Sequence, residues 1–421
     1  MNISGAKTLS LDTNYKWVLL ILGGLTNAVV VAIPSMGLSV LLPEITRELN
    51  LSLVQAGLLW GIGALPVIVS SLLAGTLCDR FGPKRILTVS CLLVGLSCAL
   101  RGFSTTFPSL TVMVFLFGFF APLVSISNMK TAGIWFSSRE LGFANGVLSL
   151  GMAVGFLVGS MVSATILSPW LGGWRNVFFF YGAIAAVFLI PWYLTHSLPG
   201  GLQSANVSPP SHSFFKSLSQ IGRLRNMWLL GFGIMGISGS IQGLLGYLPL
   251  YLHGLGWSEA STGGALASFH TASMICVLPI ALWSDRLGSR KRILIGAALL
   301  TALGIGSLSI VNGNAIWGAV IVAGLVRDGF MAIFLTMVFE IKGIGPHYSG
   351  TAIGFAMIFM GVGNLAAPPL GNALAGLAAG APFIFWATLI LIGSLCIALT
   401  TERVPEIVEG AISTTPEGEI F

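Results

Sequence analysis

The chain has 421 residues, 55% of them hydrophobic and only 8% charged, with a mean hydropathy of +0.92. A soluble domain is about a quarter charged, so this composition excludes a water-soluble fold and points to an integral membrane protein. The net charge of +6 belongs in that setting to the loops that flank a bilayer and is no argument for nucleic-acid binding.

Residues 1–14 are polar with one basic side chain. The apolar run that follows, 17–43, is too long for the core of a signal peptide and ends in no cleavage site, so it reads as the first span. Stretches of about 20 apolar residues, enough to cross a bilayer, lie near 17–41, 53–77, 85–103, 109–135, 141–168, 176–197, 227–251, 260–283, 293–311, 315–341, 350–376 and 381–401. The expected fold is therefore an all-α membrane protein of twelve transmembrane helices. The five cysteines (Cys78, Cys91, Cys98, Cys276 and Cys396) fall in or beside apolar segments, are odd in number and have no metal-ligand spacing. They read as reduced, buried thiols, with no disulfide framework and no metal site.

Starting the first span inside places sixteen basic residues at the cytoplasmic edge and only Arg47, Arg101 and Arg175 outside. Both termini are then cytoplasmic, with the chain in the plasma membrane. Residues 199–225, rich in Pro, Ser and Gly at their start, read as a cytoplasmic linker with a short interfacial helix near 214–221. They separate a six-helix half at 1–198 from another at 226–402. An acidic tail, 403–421, follows.

The two halves repeat each other. A shift of 206 residues aligns Leu42-Pro43 with Leu248-Pro249, Gly57 with Gly263, and Asp79-Arg80-Phe81-Gly82 with Asp285-Arg286-Leu287-Gly288. A shift of 208 aligns Gly142, Gly146 and Gly155 with Gly350, Gly354 and Gly363. Parallel repeats of this kind make two pseudo-symmetric halves related about the membrane normal.

The stretch "GTLCDRFGPKR", 75–85, resembles the loop between the second and third helices of the major facilitator superfamily. The second copy, "ALWSDRLGSRKR", differs by Ala281 at the first Gly position. The resemblance implies that Gly75, Asp79, Arg80, Gly82, Arg85, Asp285, Arg286 and Gly288 form a cytoplasmic gate latch. Charges at helix ends suit such a latch because they cap the helices and form pairs that break on opening. The stretch 133–159, with Trp-Phe, a basic residue and then Gly-x-Ala-x-Gly, looks like anion-transporting branches: nitrate/nitrite, cyanate-type, organophosphate and monocarboxylate carriers. The fifth span lacks the Gly-Pro pair of proton-driven drug antiporters, the fourth lacks their deep Arg, and the sixth lacks the ending of sugar porters.

Residues 321–337 carry Arg327 and Asp328 side by side in the tenth span, opposite Phe119 and Phe120 of the first half. An isolated charge at the midplane costs roughly 3 kcal/mol or more, whereas an Arg facing a central cavity offers a planar fork to an oxyanion. Arg327 is therefore the candidate substrate contact, with a structural Arg satisfied by backbone carbonyls or by Asp328 as the alternative. Asp328 is the one acid deep in any span. It is read as a partner of Arg327, as a proton acceptor, or as a structural partner for another helix. His270, opposite Ala64 in the repeat, is a second proton-coupling candidate, with helix packing as the alternative. Lys130 is either a snorkelling lysine or a second cation for an anion. Tyr247, Asn27, Gln242 and Asn364 are candidate polar groups of the cavity, with a hydrogen bond between helices as the alternative for Asn364, and Arg175 is expected to anchor the sixth span outside.

These readings converge on a secondary carrier, not an enzyme. It works as a monomer in the bilayer without cofactor or metal, and moves a small monocarboxylate-like anion with a proton. The alternatives are a proton-driven drug or metabolite exporter, a nitrate- or cyanate-type carrier, and a non-transporting sensor. No phosphate-binding loop of the ATPase type is present, so an ion gradient is the expected drive.

Overall fold

The structure, a computed structural model, describes residues 13–195, 219–287, 290–339, 341, 344 and 349–401. The expectations for linker residues 199–218, for the tail 403–421, for Gly288 and for the side chains of Asp285 and Arg286 lie outside the described residues. Residues 219–222 are helical.

Among the described residues, twelve long passages besides 219–222 are helical. They are α1 (Tyr15–Glu48), α2 (Leu53–Ile62 and Val67–Phe81), α3 (Pro83–Gly102), α4 (Phe107–Trp135), α5 (Arg139–Leu171), α6 (Trp174–Leu194), α7 (Arg225–Gly254), α8 (Glu259–Leu287), α9 (Arg290–Ser307), α10 (Ala315–Gly324 and Arg327–Phe339), α11 (Ser349–Leu374) and α12 (Ala381–Ala398). Nine of them are long and apolar enough to cross a membrane, and α2, α8 and α9 complete the bundle. Val69, Leu72, Val187, Leu303 and Leu395 are each at least 60% exposed. Such apolar surfaces face hydrocarbon in a bilayer, where helices also satisfy their own backbone groups.

The helix ends follow from short-range chemistry. Ser52 with Gln55, Thr106 with Ser109 and Ser137 with Glu140 form capping boxes at the starts of α2, α4 and α5. Gly82 ends α2 at φ +82°, a conformation that an L side chain resists, and Pro83 opens α3 with its fixed φ. Two expected continuous spans are interrupted. α2 breaks at 63–66, where Gly63 and Pro66 sit, and α10 breaks at 325–326.

The repeat is visible in contacts. Ser39 donates to the Leu245 carbonyl, and Arg47 meets His253 at 3.1 Å. Each pair is 206 residues apart, the repeat offset itself. Equivalent positions that touch each other lie at the pseudo-two-fold axis, here between α1 and α7. The off-axis contacts obey the same symmetry. Gly57 packs on the Pro368 backbone of α11, and its equivalent Gly263 packs on Ser160 of α5, which is the 208-shift equivalent of Pro368.

All these contacts lie at one end of the bundle, opposite the end that carries the Asp79–Arg85 loop. They are joined there by Trp60 Nε1 to the Gln242 carbonyl (2.7 Å) and Asn372 Nδ2 to the Leu53 carbonyl (2.8 Å). At the basic-loop end, a Cβ added at Gly75, Gly142, Gly146, Gly350 or Gly354 would meet nothing within 4 Å. The halves are zipped at the far end and parted at the basic end.

Candidate functional site

A cavity of about 600 Å³ lies between the halves. Its wall is mostly apolar, with Val31, Leu38, Trp60, Phe117 and Phe156 among its residues and Arg101, Gln242, Ser35, Ser71 and Ser125 as polar groups. Trp60 and Gln242 close its far end through their hydrogen bond. The volume is in the range of small-molecule sites.

The Arg327–Asp328 pair stands beside this wall. Arg327 Nη1 donates to Asp328 Oδ1 at 3.0 Å, and the two side chains keep 26% and 35% exposure. The Ser273 hydroxyl of α8 donates to Asp328 Oδ2 (2.7 Å) and accepts from the Asp328 backbone N–H (3.1 Å). That amide belongs to the ladder of α10. A side-chain oxygen inserted there interrupts the ladder and accounts for the break just before Arg327. The guanidinium lies 5.7 Å from the ring centre of Phe156 on α5, and that ring is a cavity wall. Phe156 also meets the His270 ring at 5.5 Å. Phe156 of the first half thus touches both Arg327 and His270 of the second.

His270 is 2% exposed, its Nε2 has no hydrogen-bond partner, and Phe269 flanks it at 5.4 Å. It does not line the cavity.

Of the four uncharged candidates, only Gln242 lines the cavity. Asn27 is buried. It accepts from Asn128 Nδ2 (2.8 Å) and donates to the Leu148 carbonyl (3.3 Å), tying α1 to α4 and α5. Asn364 accepts from Ser238 (2.8 Å) between α7 and α11. Tyr247 donates to the Ala379 carbonyl (3.0 Å) amid Tyr251, Phe383 and Trp386. In each case the polar group is engaged by a hydrogen bond, to a neighbouring helix for Asn27 and Asn364 and to the α11–α12 connection for Tyr247. Tyr247→Phe is accordingly expected to lower stability by about 1 kcal/mol, the worth of one hydrogen bond. Its uptake should stay within about twofold of wild type, as a melting curve and an initial-rate assay will show.

Lys130 is not a free cation for an anion. Its ammonium pairs with Asp79 and donates to the Gly75 carbonyl (2.8 Å). Asp79, the acid of the loop motif, is thereby fixed to α4, while Arg80 lies over the Phe81 ring at 5.2 Å. Lys84 donates to the Thr195 carbonyl. Arg175 pairs with Glu48 at 2.8 Å and donates to the Gly102 carbonyl, anchoring α6 to α1 and α3 at the far end as expected. Lys16 pairs with Glu140 at 2.8 Å at the basic end. The five cysteines are free thiols.

Arg101, counted with the outer-side basic residues from its place near a span end, sits at the far end of α3, is 1% exposed and lines the cavity. Sequence position gives depth but not the direction in which a side chain turns, and no signal in the flanking residues marks Arg101 as inward.

Comparison with known proteins supplies the lineage. The sequence profile of the Major Facilitator Superfamily matches residues 21–343 and 253–415. The chain is 28% identical to a probable sulfoacetate transporter of Cupriavidus necator over 240 residues, 52% of this chain and about half (53%) of that relative's length. It is 27% identical to a cis,cis-muconate transport protein of Acinetobacter baylyi over 351 residues, 78% of this chain and 83% of the relative. It is 28% identical to a probable nitrate/nitrite transporter of Mycobacterium tuberculosis over 269 residues, 60% of this chain and 64% of the relative. In fold it is similar to a bacterial homolog of the human lysosomal transporter Spinster, solved inward-facing and unoccupied, with a TM-score of 0.73 and 15% identity over 94% of this chain and 96% of that one. The twelve-helix architecture, the internal repeat and the profile match agree: the chain is a multi-pass membrane protein that belongs to the Major Facilitator Superfamily.

Proposed function

We propose that the protein carries a small monocarboxylate-like organic acid together with a proton, by alternating access. The observation that carries this reading is the Arg327–Asp328 pair at the α10 break, beside the cavity wall. In the empty carrier the carboxylate neutralises the guanidinium. When Asp328 takes a proton, Oδ1 gives up its charge and the Arg327 fork turns to a substrate carboxylate, for which two parallel hydrogen bonds are the matching geometry. Asp328 keeps 35% exposure, whereas His270 is enclosed between two rings. The proton is therefore assigned to Asp328, and His270 to the packing of Phe156. The basic end faces the cytoplasm in this reading, so the structure is an inward-open state.

Two relatives with broad coverage support an organic acid with an unsaturated or aromatic body: the muconate transport protein and, at 25% identity over 85% of this chain and 88% of the relative, a 3-(3-hydroxy-phenyl)propionate transporter of Escherichia coli. The nitrate reading is the second one, favoured by the nitrate/nitrite relative. A three-oxygen anion would leave most of a 600 Å³ apolar-walled cavity to water, which favours the organic acid.

The test is uptake of a labelled monocarboxylate, benzoate or hexanoate, into proteoliposomes under an imposed inward proton gradient. Stimulation of at least tenfold over no gradient is expected, with nitrate and a lipophilic cation giving none. Asp328→Asn is expected to abolish the stimulation while carboxylate exchange at zero gradient continues. Gradient-driven uptake by Asp328→Asn at the wild-type rate would remove the proton from Asp328. Binding without flux in wild-type vesicles would make the protein a sensor.

A further inference from the structure

Arg101 is the group that the reading above leaves unused. It sits one residue from the end of α3, at the far end of the cavity, and ranks among the largest fully buried side chains. Its guanidinium lies over the Phe117 ring at 4.1 Å and near the Phe178 ring at 5.4 Å. Nε and Nη1, both enclosed, have no hydrogen-bond partner. No ion pair forms on it among the described residues, in contrast to Lys16, Lys130, Arg175 and Arg327, each of which meets a carboxylate.

A guanidinium withdrawn from water without a counter-charge is among the costliest arrangements in a protein. Two aromatic faces offset part of that cost, but ring faces leave the in-plane donors unsatisfied. Those donors belong to a side chain that lines the cavity. What completes them is an oxyanion in the cavity, to which a turn of the guanidinium away from the rings presents two donors.

We propose that Arg101 forms a second anion subsite at the far end of the cavity and that the preferred substrate is a dianion: a dicarboxylate, or a carboxylate with a sulfonate, joined by a short apolar body. The proposal rests on the reading of Arg327 as the first anion contact. One acid group meets Arg327 near the α10 break, the other meets Arg101, and the apolar body lies along walls such as Phe117 and Phe156. The charges then close. Two guanidiniums balance two acid groups once Asp328 is protonated, so the loaded cavity is neutral. The empty cavity carries the uncompensated charge of Arg101. The proton taken by Asp328 is what frees Arg327 for its acid group.

The test compares adipate with hexanoate, which have the same chain length and differ by one carboxylate, on the purified full-length protein in detergent by isothermal titration. Wild type is expected to bind adipate at least tenfold more tightly. Arg101→Gln should bring adipate down to the hexanoate level, and Arg101→Lys should recover part of the difference. Melting temperature is the independent readout. A binding arginine without structural partners predicts that Arg101→Met melts at or above wild type, because the buried charge is gone. An adipate preference that survives in Arg101→Gln would overturn the proposal, and so would equal affinity for the two acids in wild type, leaving the monocarboxylate reading intact. Failure to bind either acid would overturn both. A fall in the Arg101→Met melting temperature of several degrees, with the preference retained, would make Arg101 a structural residue.

Discussion

Replacing Arg327 with glutamine is expected to reduce carboxylate uptake by about 100-fold or more, while the protein still inserts and remains folded. Each hydrogen bond to a charged group contributes about 1.5–3 kcal/mol, and tenfold in affinity corresponds to about 1.4 kcal/mol. Loss of a two-pronged contact therefore removes at least two decades. Arg327→Lys keeps the charge but not the planar fork, so a loss of about tenfold is expected, chiefly in KM. The competing explanation is that Arg327 only neutralises Asp328, to which it donates at 3.0 Å. The two explanations part in the double variant. If neutralisation were the whole role, Arg327→Gln with Asp328→Asn would restore uptake, because no lone charge remains. If Arg327 holds the substrate, the double variant stays at the level of Arg327→Gln. Initial rates in vesicles and a melting curve for each variant decide between them.

Why this pair was visible in the sequence while its neighbours were not is a matter of what a membrane chain encodes. Arg327 and Asp328 are charges in an apolar run with no counterpart among their repeat equivalents, Phe119 and Phe120. The cost of a charge at that depth leaves few explanations. Span count and symmetry were legible for similar reasons: hydropathy reports depth, and the repeat reports topology. Orientation about the helix axis was not legible. Lipid and protein core are both apolar, so a membrane helix lacks the wet face that tells a reader which side chains turn inward. Asn27, Asn364 and Tyr247 therefore read as cavity groups, although each is engaged by a hydrogen bond to another part of the chain. Arg101 failed in the opposite sense, since a span-end arginine looks the same whether it turns toward headgroups or inward. Lys130 was ambiguous until its partner was placed: Asp79 lies 51 residues away in the chain. The α10 break depends on Ser273, 55 residues before Asp328, and a serine in a helix carries no mark of which foreign amide it will meet.

Under the proposed alternating access, the far-end seam belongs to one state of the carrier. A Cβ at Gly57 would stand 2.8 Å from the backbone of Pro368 and Pro369, and one at Gly263 would stand 2.4 Å from the Ser160 carbonyl. Backbone atoms cannot rotate away as a side chain can, so Gly57→Leu or Gly263→Leu must push α2 from α11 or α8 from α5. Overpacking of this kind costs typically 1–3 kcal/mol. When the far end is open these helices are apart, so the cost falls on one state alone. A state-selective cost of about 2 kcal/mol shifts the equilibrium roughly 30-fold, and each variant is expected to lose at least tenfold in transport rate. Ligand binding should persist, since neither glycine lines the cavity. The shift is readable directly. Ser39, fully buried at the seam with its hydroxyl on the Leu245 carbonyl, becomes a reporter as Ser39→Cys in a chain whose five cysteines are replaced. An impermeant thiol reagent applied from the far side should label it slowly in the parent and markedly faster in either leucine variant. Gly142 and Gly354, which have open space around them here, supply the opposite control. A leucine at either site is without cost in this state, but it obstructs closure of the basic end, so labelling of Ser39→Cys should slow. Wild-type transport in Gly57→Leu and Gly263→Leu, with unchanged labelling, would show that the seam is permanent packing and that alternation takes place elsewhere.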